Sequence, residues 1–349
     1  MHRTYGVTIT RISGAIVTSD SVSAMRAAVL VYDGVFDSGL AAILDVLDAA
    51  NAMGEEAAMM GVELHDAPSW DVTTVGFQSQ VRTGAGHLVT AQPLTHADTA
   101  DLLIVPALAE RRPAVLLDHV TGDRTRPVRD AIAEHHARGA AIASACTGTF
   151  LLAETGILDN LHATTSWWLA PTLRTRYPKV HVDQNRMLIT SERVTTAGAA
   201  FGHVDLALAI VRDRSPMLAD LVARYLVIDD RPSQSAYIIP SALAQNDPVV
   251  AAFERWTRER LTEPISIPDA ADAIGVSNRT LQRSVQRTVG TSPIRFVQDL
   301  RIEQATHLLR TTELSLETIA RRVGYEHPNT LRVLLRQRTG QTTTALRGL

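Results

Sequence analysis

Apolar positions in the first two thirds of the chain fall in short, separate runs. Met25–Tyr32 (MRAAVLVY) is closed by Asp33-Gly34 and predicts a strand ending in a turn. Asp101–Pro106 (DLLIVP) and Gly139–Ala145 (GAAIASA) are apolar without alternation, the pattern of strands covered on both faces. Trp70–Gly76 (WDVTTVG) alternates and is β-branched, which predicts another strand, and Arg193–Gly198 (RVTTAG) predicts the last. Between them the spacing turns helical. Leu40, Ile43, Leu44 and Leu47 mark a helix over Gly39–Met53, and Pro127–Arg138, Phe150–Glu154 and Val204–Val211 mark three more. Strand and helix alternate, so residues 25–214 predict a flavodoxin-like α/β domain with a mostly parallel sheet and helices on both faces. Residues 1–24 predict a loose arm, and Met25 is an alternative start. Residues 215–247, with the polar run Asp229–Ser235, predict a linker. Over 248–349 the strand pattern stops and everything reads as helix.

That helical end contains a two-fold echo. In the first copy Ser266 caps a short helix with Asp269 three residues on, Gly275 makes a turn, and Ser277 caps a second helix over Asn278–Arg287. Leu281 and Val285 share the packing face of that helix. Asn278, Arg279, Gln282, Arg283 and Gln286 lie opposite, and amide and guanidinium groups are those that read adenine and guanine edges in the major groove. In the second copy a helix opens at Ser315, Gly324 makes the turn and Pro328 sits in the first turn of the next helix. Leu331 and Leu335 pack, leaving His327, Asn329, Thr330, Arg332 and Arg336 outward. Pro293–Leu309 joins the copies as one long packed helix. Each copy alone is a degenerate helix-turn-helix pattern; two copies about 50 residues apart, each with a basic outer face, predict a DNA reader.

With the words SNRTLQRSVQRTVGTSPIRFVQDLRIEQATHLL and SLETIARRVGYEHPNTLRVLLRQRTG, the stretch Val250–Arg347 resembles the AraC/XylS family of bacterial transcription regulators. The resemblance implies two helix-turn-helix units that place recognition helices in successive major grooves. It implies DNA contacts among Ser277, Asn278, Arg279, Thr280, Gln282 and Arg283, and among His327, Asn329, Thr330 and Arg332, with Arg287, Arg336 and Arg338 on phosphates. Three positions depart from the family pattern: Glu326 where the second recognition helix usually begins with Ser or Asp, Leu335 in place of an aromatic, and Thr342-Thr343 with Leu346 in place of Ser-Pro and Tyr.

Charge supports this division. The net charge of −3 alone argues against nucleic acid, but from Phe253 onward fifteen arginines face ten acids, so the end is basic and the rest acidic. Lys179 is the single lysine, so phosphate contacts fall to arginine.

The one cysteine, Cys146, excludes an intrachain disulfide and suits a reducing compartment. No run is long enough for a membrane span and residues 1–24 lack a signal-peptide core, so the expected location is the cytoplasm. Cys146 ends a buried strand and begins a helix, the geometry of a nucleophile elbow. The surrounding GAAIASACTGTFLLAETGILDNLHATTSWW, with AGAAFGHVDLALAIV further on, is similar to the PfpI/ThiJ-like branch of the class I glutamine amidotransferase superfamily. That domain followed by an AraC-type reader is the architecture of GlxA-like regulators. The catalytic pattern of the hydrolytic branch is not kept: Thr147 stands where a His follows the cysteine, Gly39 where an activating Glu stands (Asp37 and Asp45 are near), and Ser166 where regulators often carry His. His162 and His203 are the other candidates for a base.

Three roles for Cys146 are therefore open: an inert buried thiol, the floor of an effector pocket with Thr147, Gly148, Ser166 and Trp167, or a nucleophile. Trp167 and Trp168, adjacent on a helix, would not both face one pocket. The sequence points to a regulator of double-stranded DNA, homodimeric through its N-terminal domain, answering to a small-molecule effector and using no metal or cofactor. The alternatives are a cysteine-dependent amidase with a helical appendage and a protein-interaction adaptor.

Overall fold

The computed structural model describes residues 24–59 and 68–348. The expected arm over 1–24 lies outside them, Ala24 apart.

The α/β half is ordered β1 (Met25–Leu30), α1 (Asp37–Met59), β2 (Trp70–Gly76), β3 (Gln80–Arg82), β4 (Leu88–Thr90), β5 (Gln92–Pro93), β6 (Leu102–Val105), α2 (Pro113–Thr121), α3 (Arg126–Ala137), β7 (Ala141–Ala145) and α4 (Gly148–Glu154). Then come β8 (His162–Ala163), α5 (Ala170–Arg176), β9 (His181–Val182), β10 (Leu188–Ser191), β11 (Val194–Ala197), α6 (Gly202–Arg214) and α7 (Pro216–Tyr225). The main sheet runs β10-β11-β7-β6-β1-β2-β5, parallel except for the β10–β11 pair. β1 shows why its strand is apolar throughout. Ala27, Val29 and Val31 enter the core under α1, α6 and α7, while Ala28, Leu30 and Tyr32 enter the core under α2 to α5.

The segment 215–247, read as linker, contains two helices. α7 packs Leu218, Ala219 and Val222 into the first of those cores, and α8 (Pro240–Ala244) packs Leu243 and Ala244 into the C-terminal half. The connection between them is tied down by Gln234. Its buried amide donates to Thr165 O (2.8 Å) and Arg186 O (3.2 Å), and its carbonyl accepts from the Trp167 N–H (3.2 Å).

The helical half continues as α9 (Pro248–Arg258), α10 (Ile267–Ala273), α11 (Asn278–Val289), α12 (Pro293–Thr311), α13 (Leu316–Arg322), α14 (Pro328–Thr339) and α15 (Thr343–Leu346). It has two cores on one helix. Phe296, Val297 and Leu300 of α12 belong to the core of α8 to α11, and Ile302, Ala305 and Leu309 to the core of α13 to α15. The caps fall where the sequence puts them at Ser266, Ser277 and Ser315, each accepting from the backbone N–H three residues on. Gly275 (φ 72°) and Gly324 (φ 78°) make the turns, left-handed positions that glycine occupies without strain. One cap corrects the sequence reading. The residue before α14 is His327, not Glu326, because Pro328 takes the first helical position, and no side chain caps the helix there.

Candidate nucleic-acid interface and the buried cysteine

The outward face of each second helix is polar. In α11, Leu281 and Val285 are fully buried, whereas Ser277, Asn278, Arg279, Thr280, Gln282, Arg283, Gln286 and Arg287 are exposed. In α14, Leu331 and Leu335 are buried, and His327, Asn329, Thr330, Arg332 and Arg336 are exposed. The structure thus keeps these expected DNA contacts on the surface, with Arg338 the exception.

Some of these groups already have partners. Ser277 and Thr280 share a hydroxyl bond of 2.9 Å, part of the cap. Asn329 Oδ1 accepts from Arg332 (2.5 Å). Arg287 is ion-paired with Asp247 at 2.5 Å, a tertiary contact from 40 residues away in the chain. Arg338 is turned inward, 3.0 Å from Asp299. Arg279, Arg283 and Arg336 make no ion pair with any described residue, which leaves their guanidinium groups for an anionic or acceptor-rich partner.

The far end of α11 rests on the α/β domain. Arg174 of α5 donates to Arg287 O (3.1 Å) and Gln184 donates to Val289 O. Trp167 packs against the core of the first helix-turn-helix unit. The first recognition helix is therefore held from behind at its C-terminus and free at its N-terminus. Beside this junction is a cleft of about 790 Å³, bordered by Gln184, Tyr237, Ile239, Arg295, His307 and Arg338, among other residues.

Cys146 directly follows β7 with φ 56°, so the sharp turn of the predicted elbow is present. Its thiol is buried and hydrogen-bonded. The residue is 4% exposed, and Ser166 Oγ is hydrogen-bonded to its sulfur at 2.7 Å. Burial pushes the thiol up to about 11, against the opposing pull of hydrogen bonds from Ser166 and Thr147. Thr147 donates its hydroxyl to Leu108 O (2.8 Å), and Thr165 donates to Cys146 O (2.6 Å). Gly148 has no room for a side chain: a Cβ there would lie 2.4 Å from Ser144 Oγ and 2.8 Å from two backbone carbonyls.

The candidate bases are engaged elsewhere. His203 fills the space next to Gly39, where an added Cβ would lie 2.7 Å from its ring. Its Nε2 accepts from the Ala107 N–H (3.1 Å), so Nδ1 carries the proton and donates to Ala200 O (2.7 Å). His162 stacks against His181, with centroids 5.1 Å apart. Asp37 accepts from Ala85 N (2.9 Å) and His87 Nδ1 (2.8 Å); despite a desolvation that raises it, bonds from Thr83, His87 and Ala85 bring its carboxyl down to about 2. Asp45 is exposed on α1. None of these is hydrogen-bonded to Cys146.

The His203 bonds imply a pH dependence. Burial depresses its pKa from 6.5 to about 4, since a proton on Nε2 would have to displace the Ala107 N–H. Above pH 6.5 folded and unfolded chains both hold it neutral. Between 6.5 and 4 the unfolded chain takes up the proton and the folded one does not, so stability falls with pH in that window. Urea unfolding at pH 7.5 and 5 should show the loss, and His203→Gln should flatten that histidine's contribution to the slope.

The sequence pattern of the DJ-1/PfpI family matches residues 25–213, more than half of the chain, and the chain belongs to that family. A helix-turn-helix domain pattern matches residues 270–348. Among curated proteins, the chain is similar to the HTH-type transcriptional regulator CdhR of Pseudomonas aeruginosa, 31% identical over 52% of this chain and 55% of that one. It is also similar to the HTH-type transcriptional regulator GlxA of Rhizobium meliloti, 25% identical over 60% of this chain and 65% of that one. The chain thus spans a little over half the length of the curated relatives it matches. Among solved structures, an AraC family transcriptional regulator from Pseudomonas putida aligns with 58% of this chain and 99% of its own, at 18% identity and a TM-score of 0.47.

No helix among the described residues is long and apolar enough to cross a membrane.

Proposed function

We propose that this protein is a sequence-specific, DNA-binding transcription regulator of the cytoplasm that works as a homodimer joined through its α/β domains. One observation carries the reading. Two polar helix faces, on α11 and α14, stand exposed on separate cores strung along a single helix, α12. Paired readers of that kind suit two neighbouring grooves of a duplex, and the HTH-type regulators among the relatives support it. Arg279, Arg283, Gln282 and Asn278 would read bases in the first groove. Arg332, Asn329, Thr330 and His327 would read the second, with Ser277, Thr280, Arg287 and Arg336 toward the backbone.

The α/β domain acts without catalysis in this reading. A thiol raised to about 11, with no base bonded to it, is a poor nucleophile at neutral pH. An effector bound at Cys146, Thr147, Gly148, Ser166 and Trp167 would enter by displacing the Ser166 hydroxyl from the sulfur. Trp167 and Gln234 would carry that displacement to the helical half, since the first packs on its core and the second holds the connecting segment.

The test is capture of fragmented host DNA by the purified protein at ~150 mM salt, where phosphate-only binding is suppressed, followed by sequencing. The expected result is a recurrent motif of two elements about one helical turn apart. A flat profile, with no fragment preferred over bulk DNA, overturns the proposal.

A further inference from the structure

Helix α7 is apolar on two sides. Its inner side is buried, but Met217 (49% exposed), Leu221 (38%) and Tyr225 (64%) stand outward at i, i+4 and i+8 and make one stripe. Val227, two residues beyond, is 89% exposed and holds φ 55°. A β-branched residue in the left-handed region is strained, and this one spends that strain on presenting an apolar side chain to solvent. Asp220 and Arg224 flank the stripe on one side, and neither has an ion-pair partner among the described residues. Exposed apolar rows edged by charge mark interaction surfaces.

We infer that the α7 face is where a second copy of this chain docks, with the two α7 helices antiparallel across a two-fold axis. The charges select that arrangement. A two-fold perpendicular to the helices keeps the charged flanks on the same side of the contact and reverses their order. Leu221 then meets the partner's Leu221 and Met217 meets the partner's Tyr225, while Asp220 comes within about 3 Å along the helix of the level of the partner's Arg224, inside the reach of that side chain, each cross-pair occurring twice. A parallel pair would place the flanks on opposite sides, with no ionic contact. The apolar partner chemistry and the opposite-charge partner chemistry are thus both supplied by the same ten-residue helix. The inference rests on the homodimer of the proposed function and names its face. A helix of that length, about 15 Å, makes a small interface, so the dimer is in equilibrium with monomer at micromolar concentration and is reinforced when two half-sites on DNA hold both copies.

Sedimentation equilibrium of the full chain without DNA, over roughly 1–100 µM, tests this. Wild type should shift from one to two chain masses with concentration. L221E should stay at one. D220R and R224D should each weaken association by about tenfold or more, since each sets like charges against each other twice, and D220R/R224D together should restore it. Val227→Gly, which relieves the backbone strain and removes the apolar group, should raise the thermal stability of the monomer while weakening the dimer. A wild type that is monomeric throughout overturns both this inference and the homodimer. A dimer indifferent to L221E and to both charge reversals overturns the α7 face alone and leaves the homodimer standing.

Discussion

Arg283→Ala should weaken binding to the captured motif by about 1–3 kcal/mol, roughly five- to 150-fold, and relax the preference at a single base position. The argument is one of position. Arg283 stands on the exposed face of α11, two residues beyond the buried Leu281, and it has no carboxylate partner to give up on binding. A guanidinium there can offer two parallel N–H bonds to one guanine, which lysine or water does not reproduce. A titration by fluorescence anisotropy across several salt concentrations decides between base and phosphate. Base reading leaves the salt dependence unchanged and flattens one position of the motif. If affinity fell equally on all sequences and the salt slope dropped by about one, Arg283 would be a phosphate contact instead. Arg287 should show the smaller effect, because its charge is already shared with Asp247.

Phe296→Ala should cost about 3–5 kcal/mol of stability, the largest single change in the helical half. Phe296 is fully buried near the start of α12 and lies 5.8 Å, centroid to centroid, from Phe253, another fully buried ring of α9. Removing it hollows the core on which Leu281 and Val285 seat α11. The outward face of α11 owes its fixed position to that core, so DNA affinity should fall together with the urea midpoint. Phe296→Leu keeps most of the volume and should cost far less. Loss of DNA binding at an unchanged midpoint would show that Phe296 acts on the helix by some route other than core packing.

The parts of this molecule that were legible in its sequence are those where one physical demand dominates. β1, β6 and β7 are buried on both faces, so their apolar runs could be nothing polar-facing. α11 and α14 bury leucines and valine at i, i+4 and expose everything opposite, which is the plainest helical signal in the chain. β3, β4, β5, β8 and β9 were not seen because each has two or three residues, most of them not buried, too few for a period to register. α7 falls within the predicted linker for a different reason. With Leu218 and Val222 inside and Met217 and Leu221 outside, its apolar residues fall on two sides and mark no single buried stripe. The pairings that decide the two sites are tertiary. Nothing in the spacing of Cys146 and Ser166, or of Asp247 and Arg287, says that their side chains meet. The cap of α14 falls one residue beyond Glu326, the position that the family pattern implies, because Pro328 takes the first helical position and leaves His327 at the cap.

The length of α12 has a consequence for the DNA itself. Nineteen residues of helix make a strut of about 28 Å, and both reading units are fastened to it by fully buried side chains. One turn of the duplex rises about 34 Å. Two outward faces held no farther apart than that strut would require the duplex to curve toward the protein before both grooves came within reach. The cost of that curvature depends on the base steps between the two contacted elements. Bases that no side chain touches would then be selected for how readily they bend, and an operator would be recognised in part by its mechanics.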